Sequence, residues 1–208
     1  MNNSNTLFGA LFFVGVALMA AYYVYTMQNP ANAEELAVVD GPGPNLVITV
    51  AGEANGEVVI DLLPDVAPMH VEQITALAES GAYDNIVFHR VIAGFMAQTG
   101  DVQFGQAGGD TSGAGRGKSD RPNIPGEFSE IPFDRGVVGM ARSASPDSAN
   151  SQFFIMFDDG HFLNGDYTVF GRVIEGMEIV DAIKRGEQAA NGAVSDTPDR
   201  MVSVRVEP

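Results

Sequence analysis

The sequence predicts a mainly β protein, a closed eight-stranded antiparallel barrel capped by two α-helices. Eight short runs rich in β-branched or aromatic residues follow residue 45, each bounded by Gly, Pro, Asn or Asp. Only two stretches carry helical periodicity. Closing the sheet would remove the exposed edges that so many short strands otherwise leave.

The strands are expected at 46–51 (LVITVA), 57–63 (EVVIDLL), 86–91 (IVFHRV), 95–99 (FMAQT), 137–141 (VVGMA), 152–157 (QFFIMF), 168–174 (TVFGRVI) and 202–206 (VSVRV). Residues 52–56, GEANG, join the first two as a hairpin-like loop ending in Asn-Gly. The first helix is expected over 66–80, with Val71, Ile74, Leu77 and Ala78 on one face. Asp65 would cap its start, Pro68 suits its first turn, and Gly81 sits where a C-terminal cap belongs. The second helix is expected over 176–185, with Met177, Val180 and Ile183 apolar and Lys184 and Arg185 in a last turn that favours cations. The glycine-rich stretch 105–126 reads as a long ordered loop.

Residues 1–33 carry no charged side chain, and Leu7 to Tyr25 is an unbroken run of apolar and small residues. As a helix this run would span about 28 Å, close to the hydrocarbon thickness of a bilayer. Tyr22, Tyr23 and Tyr25 cluster at one end, as an interfacial aromatic belt would. An N-terminal transmembrane anchor is the first reading. The alternative is a signal segment cleaved after Ala33, where Ala31-Asn32-Ala33 has the small-residue pattern of a cleavage site. Either places the rest of the chain across a membrane. Residues 34–45, with Pro42, Pro44, Gly41 and Gly43, read as a flexible linker to a domain over 46–208.

Composition excludes several functions. The 208 residues are 45% hydrophobic, enough for a substantial core. With 11 Lys+Arg against 27 Asp+Glu the net charge is −16, which disfavours a nucleic-acid surface. The absence of cysteine removes disulfides, thiolate catalysis and thiolate-ligated metals. No histidine has a metal-like partner three or four residues away, so no metal site is expected. His89 beside Arg90 reads as a hydrogen-bonded structural residue. Gly117-Lys118-Ser119 matches the end of a phosphate-binding loop, but Ser112 stands where that loop's first glycine belongs.

Side chains alternate along a strand, so residues i and i+2 share a face. Phe153, Ile155 and Phe157 suit a core. Gln152, Phe154 and Met156 form the opposite face, and Met96 with Gln98, and Phe88 with Arg90, form similar ones. Such faces mix large apolar groups with a few polar ones. Brought together, they would make a ligand pocket.

The run 88–101, FHRVIAGFMAQTGD, resembles the signature of the cyclophilins. So do SQFFI at 151–155, FLNG at 162–165 and VFGRV at 169–173, in the same order. The resemblance spans about 46 to 206. It implies an eight-stranded antiparallel barrel with two helices, and cis–trans isomerisation of peptide bonds preceding proline, a reaction that makes and breaks no bond and so calls for no cofactor. It implies Arg90 as the catalytic arginine. Phe95, Met96, Phe154 and Leu163 would receive the proline ring, Gln98 and Gln152 would hold the substrate backbone, and Ala141, Arg142, Phe162 and Tyr167 would complete the groove. Ala93, Arg142, Phe162 and Tyr167 differ from the best-known eukaryotic pattern. The last three resemble bacterial members, and Phe162 stands where an indole N–H would otherwise donate to cyclosporin. The expected partners are proline-containing polypeptides, with no nucleic acid, and the domain is expected to be a monomer. The expected location is the periplasmic side of a bacterial inner membrane, with assisted folding of exported proteins as the role.

Overall fold

The computed structural model describes residues 41–208. The proposed anchor at 7–25, the cleavage point after Ala33 and most of the linker lie outside these residues. Among the described residues, no helix is long and apolar enough to cross a membrane.

Among the described residues nine strands form one sheet: β1 (Asn45–Ala51), β2 (Gly56–Leu62), β3 (Ile86–Val87), β4 (Arg90–Ile92), β5 (Met96–Thr99), β6 (Val137–Met140), β7 (Phe153–Met156), β8 (Val169–Glu175) and β9 (Arg200–Glu207). Their order is β3-β9-β1-β2-β8-β6-β7-β5-β4, and every neighbouring pair is antiparallel. Register shifts at Thr49/Val50, Val59/Ile60 and Val138/Gly139 add twist, and the sheet curls.

The expected closed eight-stranded barrel is not what forms. The sheet is a curled half-barrel with β3 and β4 at its two ends. The difference arises within the single strand expected over 86–91. Phe88 N–H donates to the Asp199 carbonyl at 2.8 Å, and the His89 carbonyl accepts from Val194 N–H at 3.0 Å. These two residues therefore leave the ladder. Before them, β3 pairs with β9; after them, β4 pairs with β5.

The long loop after β5 is present as expected, touched only by isolated bridges such as Ile124 to Ala149. Helix α1 (Pro68–Glu79) buries Val71, Ile74, Leu77 and Ala78. It ends in a Schellman arrangement: Gly81, at φ 71°, donates to the Ala78 carbonyl, and Ala82 donates to that of Leu77. Its start differs from expectation. Ala67 occupies the cap position without a side-chain bond, and Asp65 does not cap. Glu127 does this work from the distant loop, accepting Met69 N–H at 3.2 Å and His70 N–H at 3.1 Å. Helix α2 (Met177–Ala182) is shorter than expected, so Lys184 and Arg185 fall beyond its last turn. Arg185 instead lies over the Phe157 ring, 3.8 Å from its centroid.

The main core lies on the face of the sheet against which α1 and α2 pack. Tyr83 and Phe170 each meet Phe153 edge-on, at 5.7 and 6.0 Å between centroids. A second apolar cluster forms on the other face of β5 and β7, from Met96, Phe154, Met156, Phe133, Val137, Leu163 and Val169. The first cluster holds the domain together, and the second floors the site.

Candidate active site

The alternation read for β5 and β7 holds. Phe153, Ile155 and Phe157 enter the main core, while Phe154, Met156 and Met96 enter the second cluster. It fails for Phe88. That side chain enters the main core with Ile86 and Val91, not the face that carries Arg90. The turn out of the ladder at 88–89 slips the period by one residue, which no local pattern announces.

Register then assembles a row across four strands. Arg90 pairs with Gln98, Gln98 with Phe154, and Phe154 with Gly139. Gly139 makes room: a Cβ there would lie 2.5 Å from both Phe133 and Phe154 ring atoms. Phe154 stacks on Phe133 (5.7 Å, 25°) and meets Tyr167 edge-on at 5.9 Å. Gly139→Ala is therefore expected to tilt the Phe154 ring and raise KM, at a stability cost of about 1–3 kcal/mol. Peptide titration and urea unfolding would read both; an unchanged KM would contradict the packing role.

Ten side chains surround a cavity of about 310 Å³: Arg90, Phe95, Met96, Gln98, Ala141, Arg142, Phe154, Phe162, Leu163 and Tyr167. All belong to the expected set. Gln152, the remaining member, sits one step away. Met96, Phe154 and Leu163 are buried, whereas Phe162 is 71% exposed and leans on Phe95 at 5.3 Å.

Polar side chains at one rim form a directed chain. Gln152 Nε2 donates to the Gly117 carbonyl at 2.7 Å. Gln98 Nε2 donates to Gln152 Oε1 at 2.9 Å, and Arg90 Nη1 donates to Gln98 Oε1 at 3.2 Å. Asn191 grips the other side of the guanidinium, its carbonyl accepting Arg90 Nε–H at 3.0 Å and its Oδ1 accepting from Nη2 at 3.2 Å. Partial burial lowers the Arg90 pKa from its ordinary value, yet a guanidinium remains charged in a protein. Arg142 lies over Tyr167, 4.4 Å from the ring centroid, and donates to the Asp166 and Ser143 carbonyls.

Asn191, Gly117 and Gly139 are site elements that sequence reasoning missed. So is Asp101, buried beneath the glycine-rich loop. Its Oδ1 accepts Gln103 and Phe104 N–H, and its Oδ2 accepts Gly115 and Gly117 N–H at 2.7 and 2.8 Å. The one signal available was an acidic residue four positions before the start of a long glycine-rich stretch.

His89 is buried, and neither ring nitrogen completes a hydrogen bond of normal geometry. The expected hydrogen-bonded role is thus only partly met: Gln152 and the Val87 carbonyl are near enough to favour a proton, and Asp101 also favours one, but burial dominates and lowers the pKa to about 4. An unfolded histidine titrates near about 6.5. Between those values the unfolded chain holds the extra proton, so stability falls as pH drops from about 6.5 toward 4. The full loss is on the order of 3 kcal/mol. Burial also lowers the His70 pKa, against the opposing pull of Glu127. Urea unfolding at pH 7 and pH 4.5 should show a smaller drop for His89→Gln than for the parent; equal drops would contradict this.

At the turn before Phe162, Asp134, Asp159 and His161 each bring a ligand-capable atom within 4.8 Å of the others. His161 Nε2 lies 2.6 Å from Asp134 Oδ1, and that contact raises the His161 pKa. Asp134 is 27 residues from His161, beyond any local spacing rule. All three are exposed, as suits a surface histidine–carboxylate pair.

The guanidinium, held by Gln98 and Asn191, thus lies beside an aromatic pocket on the face of β5 and β7 opposite the main core. A family profile, cyclophilin type peptidyl-prolyl cis-trans isomerase/CLD, matches residues 46–206. A probable peptidyl-prolyl cis-trans isomerase of Brucella suis biovar 1 (strain 1330) is 50% identical over 197 residues, covering 94% of this chain and 97% of its own. The crystal structure of the cyclophilin AquaCyp293 from Hirschia baltica superposes with a TM-score of 0.63 at 27% identity, over 77% of this chain and 72% of its own. A Cryptosporidium parvum cyclophilin-type isomerase, crystallised in the presence of the dipeptide Ala-Pro, gives a TM-score of 0.66 at 25% identity, over 79% of this chain and 99% of its own. The chain belongs to the cyclophilin-type peptidyl-prolyl cis-trans isomerases, enzymes that interconvert the cis and trans forms of X–Pro bonds.

Proposed function

We propose that the domain isomerises X–Pro bonds in exported polypeptides through Arg90, as a monomer tethered at the periplasmic face of a bacterial inner membrane. The observation that carries the mechanism is the guanidinium held between Gln98 and Asn191 at the edge of the apolar cavity. The X–Pro barrier is about 18–20 kcal/mol because C–N resonance is lost on twisting. No bond is made or broken, so the reaction needs neither nucleophile nor base. In the planar ground state the prolyl nitrogen accepts hydrogen bonds poorly. In the twisted state it becomes pyramidal and gains a lone pair. An N–H of Arg90 aimed at that nitrogen binds the transition state better than the substrate, the condition for acceleration. Gln98 and Asn191 hold the fork in place beforehand, so it need not reorganise as the bond turns. The cavity holds the ring while the preceding carbonyl rotates.

The location rests on the uncharged N-terminal segment and the membrane-length run within it. With the full chain expressed in a Gram-negative host, protease added to spheroplasts should remove the domain. Full protection would overturn the location and leave the isomerase mechanism standing.

A further inference from the structure

The cleft beside the proline pocket has a charge opposite to that of the protein. It is about 380 Å³, and it shares Gln98, Ala141 and Arg142 with the proline pocket. Arg116 and Lys118 line it as well. Together the two cavities present Arg90, Arg116, Lys118 and Arg142 and no carboxylate, although the chain has 27 Asp+Glu against 11 Lys+Arg.

These four cations are not used in ion pairs. Among the described residues, none lies within 4.0 Å of a carboxylate oxygen. Their recorded partners are neutral: Arg116 donates to the Ser112 carbonyl, Lys118 to Asn123 Oδ1, and Arg142 to two backbone carbonyls. The remaining polar lining is equally neutral, with Asn150 held by Ser119 and the Arg121 carbonyl. Asp147 and Asp166 neighbour the rim in sequence but line neither cavity.

We infer that this cleft selects substrates with an aspartate or glutamate a few residues from the target proline. The inference rests on the isomerase reading of the adjoining pocket. An extended peptide advances about 3.3 Å per residue, so a chain seated by its proline reaches the adjoining cleft within a few residues. There an acidic side chain meets Arg116, Lys118 and Arg142, while a lysine meets three like charges. The surrounding acidic surface repels an acidic peptide elsewhere, so attraction is confined to the groove.

The test uses the full chain and peptides of a fixed Ala-Ala-Pro-Phe frame. Glu, Gln or Lys is placed in turn at each position within three residues of the proline. Isomerisation is followed by NMR exchange, and affinity is measured on the same peptides. At low ionic strength Glu should exceed Lys by about tenfold or more in kcat/KM at one or more positions, with Gln between. The ratio should shrink toward unity in about 0.5 M NaCl, because such pairs are screened. It should also collapse in the double variant R116Q/K118Q. Turnover of all peptides with Glu and Lys equal at every position would overturn the inference and leave the isomerase reading intact. So would a preference that survives R116Q/K118Q unchanged. If no peptide is accelerated, the isomerase reading fails, and equal affinities for Glu and Lys peptides would then overturn this inference separately.

Discussion

Replacing Arg90 by alanine is expected to lower kcat/KM for an X–Pro peptide by about 10²–10³-fold, the usual worth of one preorganised donor. The fold should survive, because the guanidinium lies at the rim and the main core does not use it. Loss of an interaction made only in the twisted state should appear in kcat, with peptide affinity largely kept. Arg90→Lys should recover little. Lysine lacks the planar fork that reaches Gln98 and both Asn191 oxygens at once. Circular dichroism, peptide affinity and NMR exchange on the three proteins would decide. A folded Arg90→Ala variant with near-parental kcat would remove Arg90 from the mechanism.

Substituting Asp101 should cost the most stability. Its carboxylate is fully buried and accepts four backbone N–H groups. In Asp101→Ala all four donors lose their acceptor, and a cost of about 3–5 kcal/mol is expected. Asp101→Asn is nearly isosteric, but its NH2 would face two of those donors, so it should rescue little. The loop also supplies the Gly117 carbonyl that orients Gln152, then Gln98, then Arg90. Activity of the surviving folded fraction should therefore fall, by about tenfold, equivalent to about 1.4 kcal/mol in the barrier. Urea unfolding reads the first effect and kcat per folded molecule the second. Parental stability in Asp101→Ala would refute the anchoring role, and a parental kcat would show that the loop does not position Arg90.

Much of the site was legible because it is built on strands. Period-two alternation put Phe154 opposite Phe153, and these two do separate between the two apolar clusters; it also put Met96 and Gln98 on one face, and both line the same cavity. The same rule failed at Phe88, where hydrogen bonds to Asp199 and Val194 draw the chain out of the ladder. Those partners lie more than 100 residues away, so alternation could not register the slip. Helix α1 repeats the lesson. Its apolar face and its glycine stop were readable locally, but its N-terminal cap came from Glu127, 57 residues beyond His70.

By itself the sequence determined the β-rich class, the two helices, the long glycine-rich loop and the shared face of Met96 and Gln98; the rest of the candidate pocket lining came from the cyclophilin resemblance. The class, the helices, the loop and that shared face follow from side-chain chemistry and from periods of two and 3.6 residues, which act over one element. Only the tertiary structure decided that the sheet stays open between β3 and β4, and that Asn191 and the Gly117 carbonyl aim Arg90. It alone also gathered Arg116, Lys118 and Arg142 beside one cleft. Each of these depends on hydrogen bonds or proximity between segments far apart in the chain. Such contacts are set by how the sheet curls and not by any local pattern.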